Sequence, residues 1–214
     1  MKITSLTNPL VKHFVKLRTK KRYREEHNSV VVASKKLVEE LSRHTAPKVV
    51  VTDASEAVFQ KMTGQKAPEG VVAEFPLPAP SKLGGNYILV LDRITDPGNL
   101  GTLLRTALAL SWDGVLLLPG CADPFNEKAF TASRGALFKL PYAYGSVDQL
   151  SLPILVAAPK GTPFSPCKKC ALVLGNEAHG SEVKGELITI PQSNEMESLN
   201  VAIAGGILMH GLTI

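Results

Sequence analysis

The 214-residue sequence is short of cysteine, of aromatic residues and of long apolar runs. Three cysteines are too few, and odd in number, for a disulfide framework, so we expect a reducing, cytoplasmic location. No stretch approaches the roughly 18 uninterrupted apolar residues of a membrane-spanning helix, and the basic N-terminus lacks the apolar core of a secretory signal. Apolar residues still form 44% of the chain, enough for one large or two small cores.

Positive charge is concentrated near the N-terminus. Residues 1–48 hold 12 Lys or Arg and four Asp or Glu, whereas the remaining residues hold 12 and 15. Within that segment seven basic residues follow one another without an acidic one, namely Lys12, Lys16, Arg18, Lys20, Lys21, Arg22 and Arg24. Such a block predicts a polyanionic partner, with nucleic acid first, and a solvated helix face is the alternative.

A proline- and glycine-rich stretch near residue 80 predicts two domains, 1–80 and 81–214. Residues 75–85 include three prolines in five positions and then two glycines, which favours an extended linker. The first domain is predicted to be small and α/β, with a basic helical stretch, strands at 30–33, 49–52 and 71–75, and helices at 35–43 and 55–62. The second is predicted to be a parallel sheet flanked by helices, with strands at 87–91, 115–118, 154–158, 171–174 and 187–190 and helices at 99–110, 127–137 and 198–212.

Three segments that follow predicted strands carry unusual polar residues. In the first, Asn99 is placed to cap a helix, and Arg105 lies on that helix. In the second, Gly175 precedes Asn-Glu-Ala-His and would let a flat ligand approach the backbone, while Glu177 offers a carboxylate. In the third, a polar loop leads to Ser198, a plausible helix cap. Separately, each segment also fits an ordinary turn or a capped helix.

Together, and in this order, the segments resemble the three motifs of the SpoU/TrmH family of RNA 2′-O-ribose methyltransferases, within the SPOUT superfamily. Asn99-x-Gly101-x-x-x-Arg105 is similar to the first motif, and Gly175-x-Glu177-x-x-Gly180 to the second. Ile190-Pro191, followed by Ser198-Leu199-Asn200-Val201, is similar to the third, although Asn194 stands where the family commonly has glycine. Asn8-Pro9-Leu10-Val11-Lys12 with its basic helix is similar to the family's ribosomal-protein-like RNA-binding domain.

The resemblance implies an α/β fold with a C-terminal trefoil knot, a homodimer with active sites at the subunit interface, and S-adenosylmethionine as cofactor. It implies cofactor contacts from Gly175, Ile190 and Leu199. It also implies a base-like role for Arg105, assisted by a substrate phosphate, and catalytic positions for Asn99, Glu177, Ser198 and Asn200. A guanidinium is a poor base by its own equilibrium and is better suited to bind phosphate and stabilise an alkoxide.

The resulting expectation is methyl transfer to a ribose 2′-hydroxyl of structured RNA, ribosomal rather than transfer RNA, without a metal ion or a membrane. The alternative is a non-catalytic RNA-binding or ribosome-assembly protein with the same fold, which would be expected to have lost part of the polar set. Cys167-x-x-Cys170 has zinc-like spacing but no second ligand pair, and Pro166 with two lysines fits a surface hairpin.

Overall fold

The computed structural model of the protein describes residues 2–193 and 198–213. The chain forms two compact units. Unit 1 comprises Met1–Pro78 together with Phe125–Glu127, and unit 2 comprises Ala79–Pro124 together with Lys128–Ile214. Among the described residues, no helix is long and apolar enough to cross a membrane.

Unit 1 combines four helices with a small antiparallel sheet. The helices are α1 (Pro9–Thr19), α2 (Lys21–His27), α3 (Lys35–Ser42) and α4 (Glu56–Thr63). The strands are β1 (Ser29–Val32), β2 (Val49–Val51) and β3 (Val72–Pro76), in the order β1-β3-β2. The predicted basic helical stretch is two helices, because Lys20 between them has an extended backbone conformation.

The basic helix α1 begins and packs as its sequence dictates. Asn8 caps it by accepting a hydrogen bond from the amide of Leu10, and Pro9 occupies the first helical position, where no donor is needed. Val11, Phe14 and Leu17 recur at helical spacing and are fully buried. The basic residues are thereby restricted to the other faces of the helix.

Unit 2 is a six-stranded sheet in which every strand pair is parallel. Its strands are β4 (Tyr87–Leu91), β5 (Gly114–Leu117), β6 (Tyr142–Tyr144), β7 (Ile154–Pro163), β8 (Cys170–Leu174) and β9 (Glu186–Thr189). Their order across the sheet is β6-β5-β4-β8-β7-β9. The helices are α5 (Pro97–Ala109), α6 (Glu127–Ser133) and α7 (Val201–Leu212).

The parallel sheet predicted from the apolar runs is confirmed, with three local corrections. Strand β6 was not predicted, because it is only three residues long and its last residue is exposed. Strand β7 continues beyond residue 158, after a shift in its pairing register with β9 between Ala157 and Thr162. The helix predicted at 127–137 ends at Ser133, because Arg134 and Gly135 adopt left-handed conformations.

Gly101 lets α5 approach α6 closely. A Cβ atom built on Gly101 would lie 2.3 Å from the backbone oxygen of Ala129 and 2.7 Å from the Cβ atom of Ala132. Backbone cannot yield locally as a flexible side chain can, so a side chain here would force the two helices apart.

We therefore predict that Gly101→Ala destabilises unit 2 by about 1–3 kcal/mol, despite the higher helix propensity of alanine. Urea unfolding followed by the fluorescence of the single tryptophan, the buried Trp112 of unit 2, measures the change. Gly84→Ala is the matched control, because no atom lies within 4 Å of its built Cβ and its φ is not in the left-handed range. Equal unfolding midpoints for the two variants would contradict the packing argument.

Candidate functional site

The carboxyl ends of three neighbouring strands in unit 2 border a pocket of about 370 Å³. Strands β7, β8 and β9 contribute Ala157, Leu174 and Ile188 to its lining, and the start of α7 closes another side. Ligands in parallel α/β sheets bind at this edge, where loops from adjacent strands diverge. The volume lies in the range of about 300–1,000 Å³ that is usual for small-molecule sites.

All three residues predicted to contact a cofactor line this pocket. Gly175, Ile190 and Leu199 do so, as do Glu177 and Ser198 from the predicted catalytic set. Two of the three predicted segments, those that follow β8 and β9, therefore meet at one edge of the sheet, as their positions after strands predict.

The structure explains the glycine at position 175 by a reason that differs from the predicted one. A Cβ atom at this position would lie 2.4 Å from the carbonyl carbon of Gly180 and 2.5 Å from the amide nitrogen of Ser181. The space beside its Cα is occupied by the returning loop rather than left open for a flat ligand. Gly175 thus lets the loop close on itself, and the closed loop forms a wall of the pocket.

Asn200, Asn99 and Glu177 form a hydrogen-bonded relay that begins at the N-terminus of α7. The side-chain oxygen of Asn200 accepts from the amides of Ala202 (2.9 Å) and Ile203 (3.3 Å). Its amide group therefore faces outward and donates to the side-chain oxygen of Asn99 at 3.1 Å. The amide group of Asn99 in turn donates to the carboxylate of Glu177. The helix N-terminus thus fixes the orientation of both amides.

Two predicted helix caps are wrong, and the corrections explain the relay. Helix α5 begins at Pro97, and Asp96 caps it by accepting from the amide of Asn99 at 2.8 Å. Helix α7 begins at Val201 rather than Ser198, and Asn200 is its cap. The side chain of Asn99 therefore does not cap the helix and instead takes part in the relay.

Arg105 stands apart from the relay. It is exposed on α5 and makes no hydrogen bond or ion pair with any described residue. It lies six positions after Asn99, so the two side chains point in directions about 120° apart around the helix. The described contacts of the Asn99 side chain go to Glu177 and Asn200, and none goes to Arg105.

A second polar network at the end of β4 was not predicted. The buried Asp92 accepts from the hydroxyl of Ser181 at 2.7 Å and from the guanidinium of Arg93. The side-chain amide of Asn176 donates to the backbone oxygen of Arg93 at 3.0 Å, while its oxygen accepts from the amide of Ala178. These bonds tie the pocket loop to the end of the neighbouring strand. The feature of the sequence that could have predicted this network is the acidic Asp92 directly after an apolar strand.

The basic block in unit 1 divides by exposure. Lys12, Lys16, Lys20, Lys21 and Arg22 are exposed. Arg18 is only 19% exposed, and Arg24 is buried, with its guanidinium donating to the backbone oxygens of Leu17 (2.8 Å) and Arg18 (3.0 Å). The prediction that Arg24 faces RNA conflicts with this placement, because its guanidinium is buried and donates to backbone oxygens at the C-terminal end of α1.

Lys21 and Arg22 are each paired with a glutamate one turn later on α2. The Nζ atom of Lys21 lies 3.7 Å from Glu25, and the Nε atom of Arg22 lies 2.7 Å from Glu26. Lys12, Lys16 and Lys20 make no ion pair with any described residue. The uncompensated positive charge of this block thus lies on α1 and at its end.

The two-cysteine motif does not form a hairpin or a metal site among the described residues. Strands β7 and β8 are parallel, so the segment between them is a crossover and the hairpin expectation is wrong. Burial, and then the neighbouring Cys167 thiol, raise the pKa of the Cys170 thiol well above its ordinary value. No group of three or more metal-ligating side chains occurs in the described part of the chain. Asn194 lies outside the described residues.

Comparison with known proteins identifies close relatives. The chain is 31% identical to the 23S rRNA (guanosine(2553)-2′-O)-methyltransferase RlmP of Bacillus subtilis, over 98% of each chain. Its fold matches the AdoMet-bound rRNA methyltransferase of Sinorhizobium meliloti with a TM-score of 0.87 at 29% identity, covering 99% of this chain and 97% of that one. It also matches the SpoU methyltransferase AviRb of Streptomyces viridochromogenes, with a TM-score of 0.84 at 19% identity over 96% and 97% of the chains.

Residues 86–210 match the SpoU rRNA Methylase family. The matched range spans α5 and its arginine, the pocket loop after β8, and the capped start of α7. The chain therefore belongs to the SpoU rRNA methylase family.

Proposed function

We propose that the protein transfers a methyl group from S-adenosylmethionine to a ribose 2′-hydroxyl of ribosomal RNA. The observation that carries the proposal is that residues of the second and third family motifs line one pocket, and that Asn99 of the first motif is joined by hydrogen bonds to Glu177 and Asn200. The similarity to RlmP over 98% of both chains supports ribosomal over transfer RNA. Action on ribosomal RNA agrees with the cytoplasmic location predicted from the sequence.

The pocket has the chemistry that the proposed cofactor requires. Leu174, Ile188, Ile190 and Leu208 provide apolar walls for an adenine ring, and the loop from Gly175 provides backbone polar groups. S-adenosylmethionine, when bound, supplies a methyl group on a positively charged sulfonium with a thioether as leaving group. The chain must then place the acceptor oxygen in line and manage its proton.

The relay and Arg105 divide these tasks in the proposed mechanism. Glu177, held by Asn99, orients polar groups at the pocket mouth, and Ser198 borders the pocket near the start of α7. Arg105 is unpaired among the described residues, so its guanidinium is available to bind a substrate phosphate in a bidentate manner. In that position it stabilises the negative charge that develops on the 2′-oxygen while the proton of the hydroxyl passes to solvent water.

Arg105→Ala is expected to lower methyl transfer to unmodified 23S ribosomal RNA by about 100-fold or more, because one charged stabiliser is lost. Arg105→Lys keeps the positive charge but loses the bidentate geometry, so its rate of methyl transfer should lie between those of the wild type and Arg105→Ala. Transfer of labelled methyl, with the product resistant to alkali at the labelled nucleotide, measures the effect.

Binding of S-adenosylmethionine, followed by calorimetry, should be equal for wild type and both Arg105 variants. Lys168→Ala is the matched control, since it removes an exposed cation of unit 2 away from the three motifs. If the wild type binds RNA but labels no fraction of ribosomal or transfer RNA, and no ribosomal particle or precursor, the assembly factor replaces the enzyme as the proposed function.

We further propose that the active form is a homodimer in which Arg105 serves the pocket of the partner subunit. Arg105 points away from the relay of its own chain, and it is absent from the pocket lining. Helix α7 is apolar apart from His210, yet Ile203 and Ile207 are 57% and 40% exposed. A helix of this composition is normally covered, and a second copy of the chain would cover it.

A mixing experiment tests the shared site. Arg105→Ala and Ile190→Trp, whose indole would fill the pocket, are each expected to be inactive alone. Co-expressed in equal amounts, they should recover about a quarter of wild-type activity, because half of the dimers then contain one intact site. A mixture no more active than its components would place the whole site within one chain.

The strand order also underlies the proposal of a knotted fold. Strand β8 lies between β4 and β7, although β7 precedes it in sequence, and α7 returns to pack on α5 and β8. Gly205 of α7 makes this possible, because a Cβ there would lie 2.4 Å from Leu103 and 2.6 Å from Leu174. We propose that the chain after β8 passes through a preceding loop as in the SPOUT knot.

We also propose that unit 1 is the RNA-binding domain.

Reversal of the charge at Lys12, Lys16 and Lys20 should weaken RNA binding and reduce the slope of log K against log salt by about one per lost phosphate contact. Reversal at Lys36, Lys61 and Lys66 makes the same change in net charge elsewhere on unit 1 and should alter the slope far less. Filter binding over a salt series gives both slopes. An unchanged slope in the first variant would show that α1 is not part of the surface of the protein that binds RNA.

A further inference from the structure

An aromatic stack lies on the surface of unit 1, on the helix that follows the basic α1. Tyr23 and His27 are one turn apart on α2, with ring centroids 3.9 Å apart and an angle of 27° between the ring planes. Tyr23 is half-buried and His27 is exposed. The apolar core of this unit is formed by other residues, so the stack is not a part of that core.

Both rings are held in place before any ligand arrives. Nδ1 of His27 donates to the backbone oxygen of Tyr23 at 3.0 Å. The hydroxyl of Tyr23 lies 3.0 Å from Nδ1 of His13, whose Nε2 lies 2.9 Å from the carboxylate of Glu74. Glu74 is 5% exposed on the central strand β3, so a buried anchor holds the outer ring pair. A binding surface fixed in this way loses little side-chain entropy when it is occupied.

Positive charge on α1 lies beside the stack. Nζ of Lys16 lies 5.3 Å from the centroid of the Tyr23 ring, within the distance of a cation–π interaction. Lys12 lies one turn earlier on the same face of α1, and Lys20 follows at the helix end. Cations beside an exposed aromatic face form the combination that binds single-stranded nucleic acid, since phosphates pair with the cations and bases stack on the rings.

We propose that His27, backed by Tyr23, is a stacking surface for one unpaired nucleobase of the RNA substrate, with Lys16 at the adjoining phosphate. This inference rests on the proposed function, because it assumes an RNA partner. An exposed ring can stack on a base only if that base is free, so the ligand is a loop, bulge or single-stranded segment rather than a continuous duplex. A base contact of this kind adds affinity without adding a phosphate contact.

The test compares His27→Ala with His27→Phe on a short, unstructured, pyrimidine-rich RNA. Loss of the ring should weaken binding about fivefold or more, whereas phenylalanine should restore it. The salt slope should stay at the wild-type value in both variants, because no phosphate contact is lost. We expect His27→Ala to fold, since the hydrogen bonds that Lys48 and Ser29 donate to His27 go to its backbone oxygen, which the substitution keeps.

Two controls separate stacking from charge. His44→Ala removes another exposed histidine of unit 1 and should bind as the wild type does. Binding of a fully paired RNA duplex should be equal for wild type and His27→Ala. His27→Trp gives a direct signal, because its exposed indole should be quenched by the pyrimidine-rich RNA while the buried Trp112 is not.

Equal affinity of wild type and His27→Ala for the unpaired RNA would overturn the proposal, and so would an equal loss on the duplex. Methyl transfer to 23S RNA by the same proteins keeps the two proposals apart. If the wild type methylates RNA and His27→Ala binds unpaired RNA normally, only the stacking surface is refuted. If the wild type methylates nothing but His27→Ala still loses affinity for unpaired RNA, the stacking surface stands and the enzymatic proposal fails.

Discussion

The N-terminus of α7 is the constraint on which the site depends. Its free amides require an acceptor, and Asn200 supplies one with its side-chain oxygen. This leaves the amide group of Asn200 only one direction in which to donate, and Asn99 lies there. The orientation of Asn99 then directs its side-chain amide group at the carboxylate of Glu177, which accepts a hydrogen bond from it. A backbone requirement at one helix end thus fixes a carboxylate on another loop of the sheet.

The same constraint shows what the sequence could and could not predict about the site. Polar residues directly after apolar strands indicated the edge of the sheet, and Gly175, Ile190 and Leu199 meet there. The roles inside the site were harder, because Asn99 and Ser198 both have the residue type of a cap. Which residue caps a helix depends on where the chain turns, and a shift of two or three positions moved the caps to Asp96 and Asn200.

The fold was predictable where burial on both faces produces a continuous apolar run. Strands β4, β5 and β8 were therefore placed to within a residue or two, and β9 was too, because its sequence is also an apolar run although half of its residues are exposed. Strand β6 and the shifted end of β7 were missed, since their sequences are short or polar and their pairing depends on neighbours distant in sequence. Arg24 marks a similar limit, because a charge that bonds backbone oxygens inside a unit has the same sequence signature as one that faces a polyanion.

The closed loop between Gly175 and Gly180 has a consequence for how such a pocket changes over evolutionary time. Its lining includes this whole loop and the segment of β7 around Ala158, where the pairing register with β9 shifts. A backbone oxygen is present in every residue and a backbone amide in every residue but proline, so main-chain groups that face the pocket persist when side chains change. Selection then acts chiefly on the few positions that set the path of the chain, of which Gly175 is one because any larger residue would push Gly180 away. The shape of this part of the pocket therefore depends on a path of the backbone that leaves no room for a side chain at position 175.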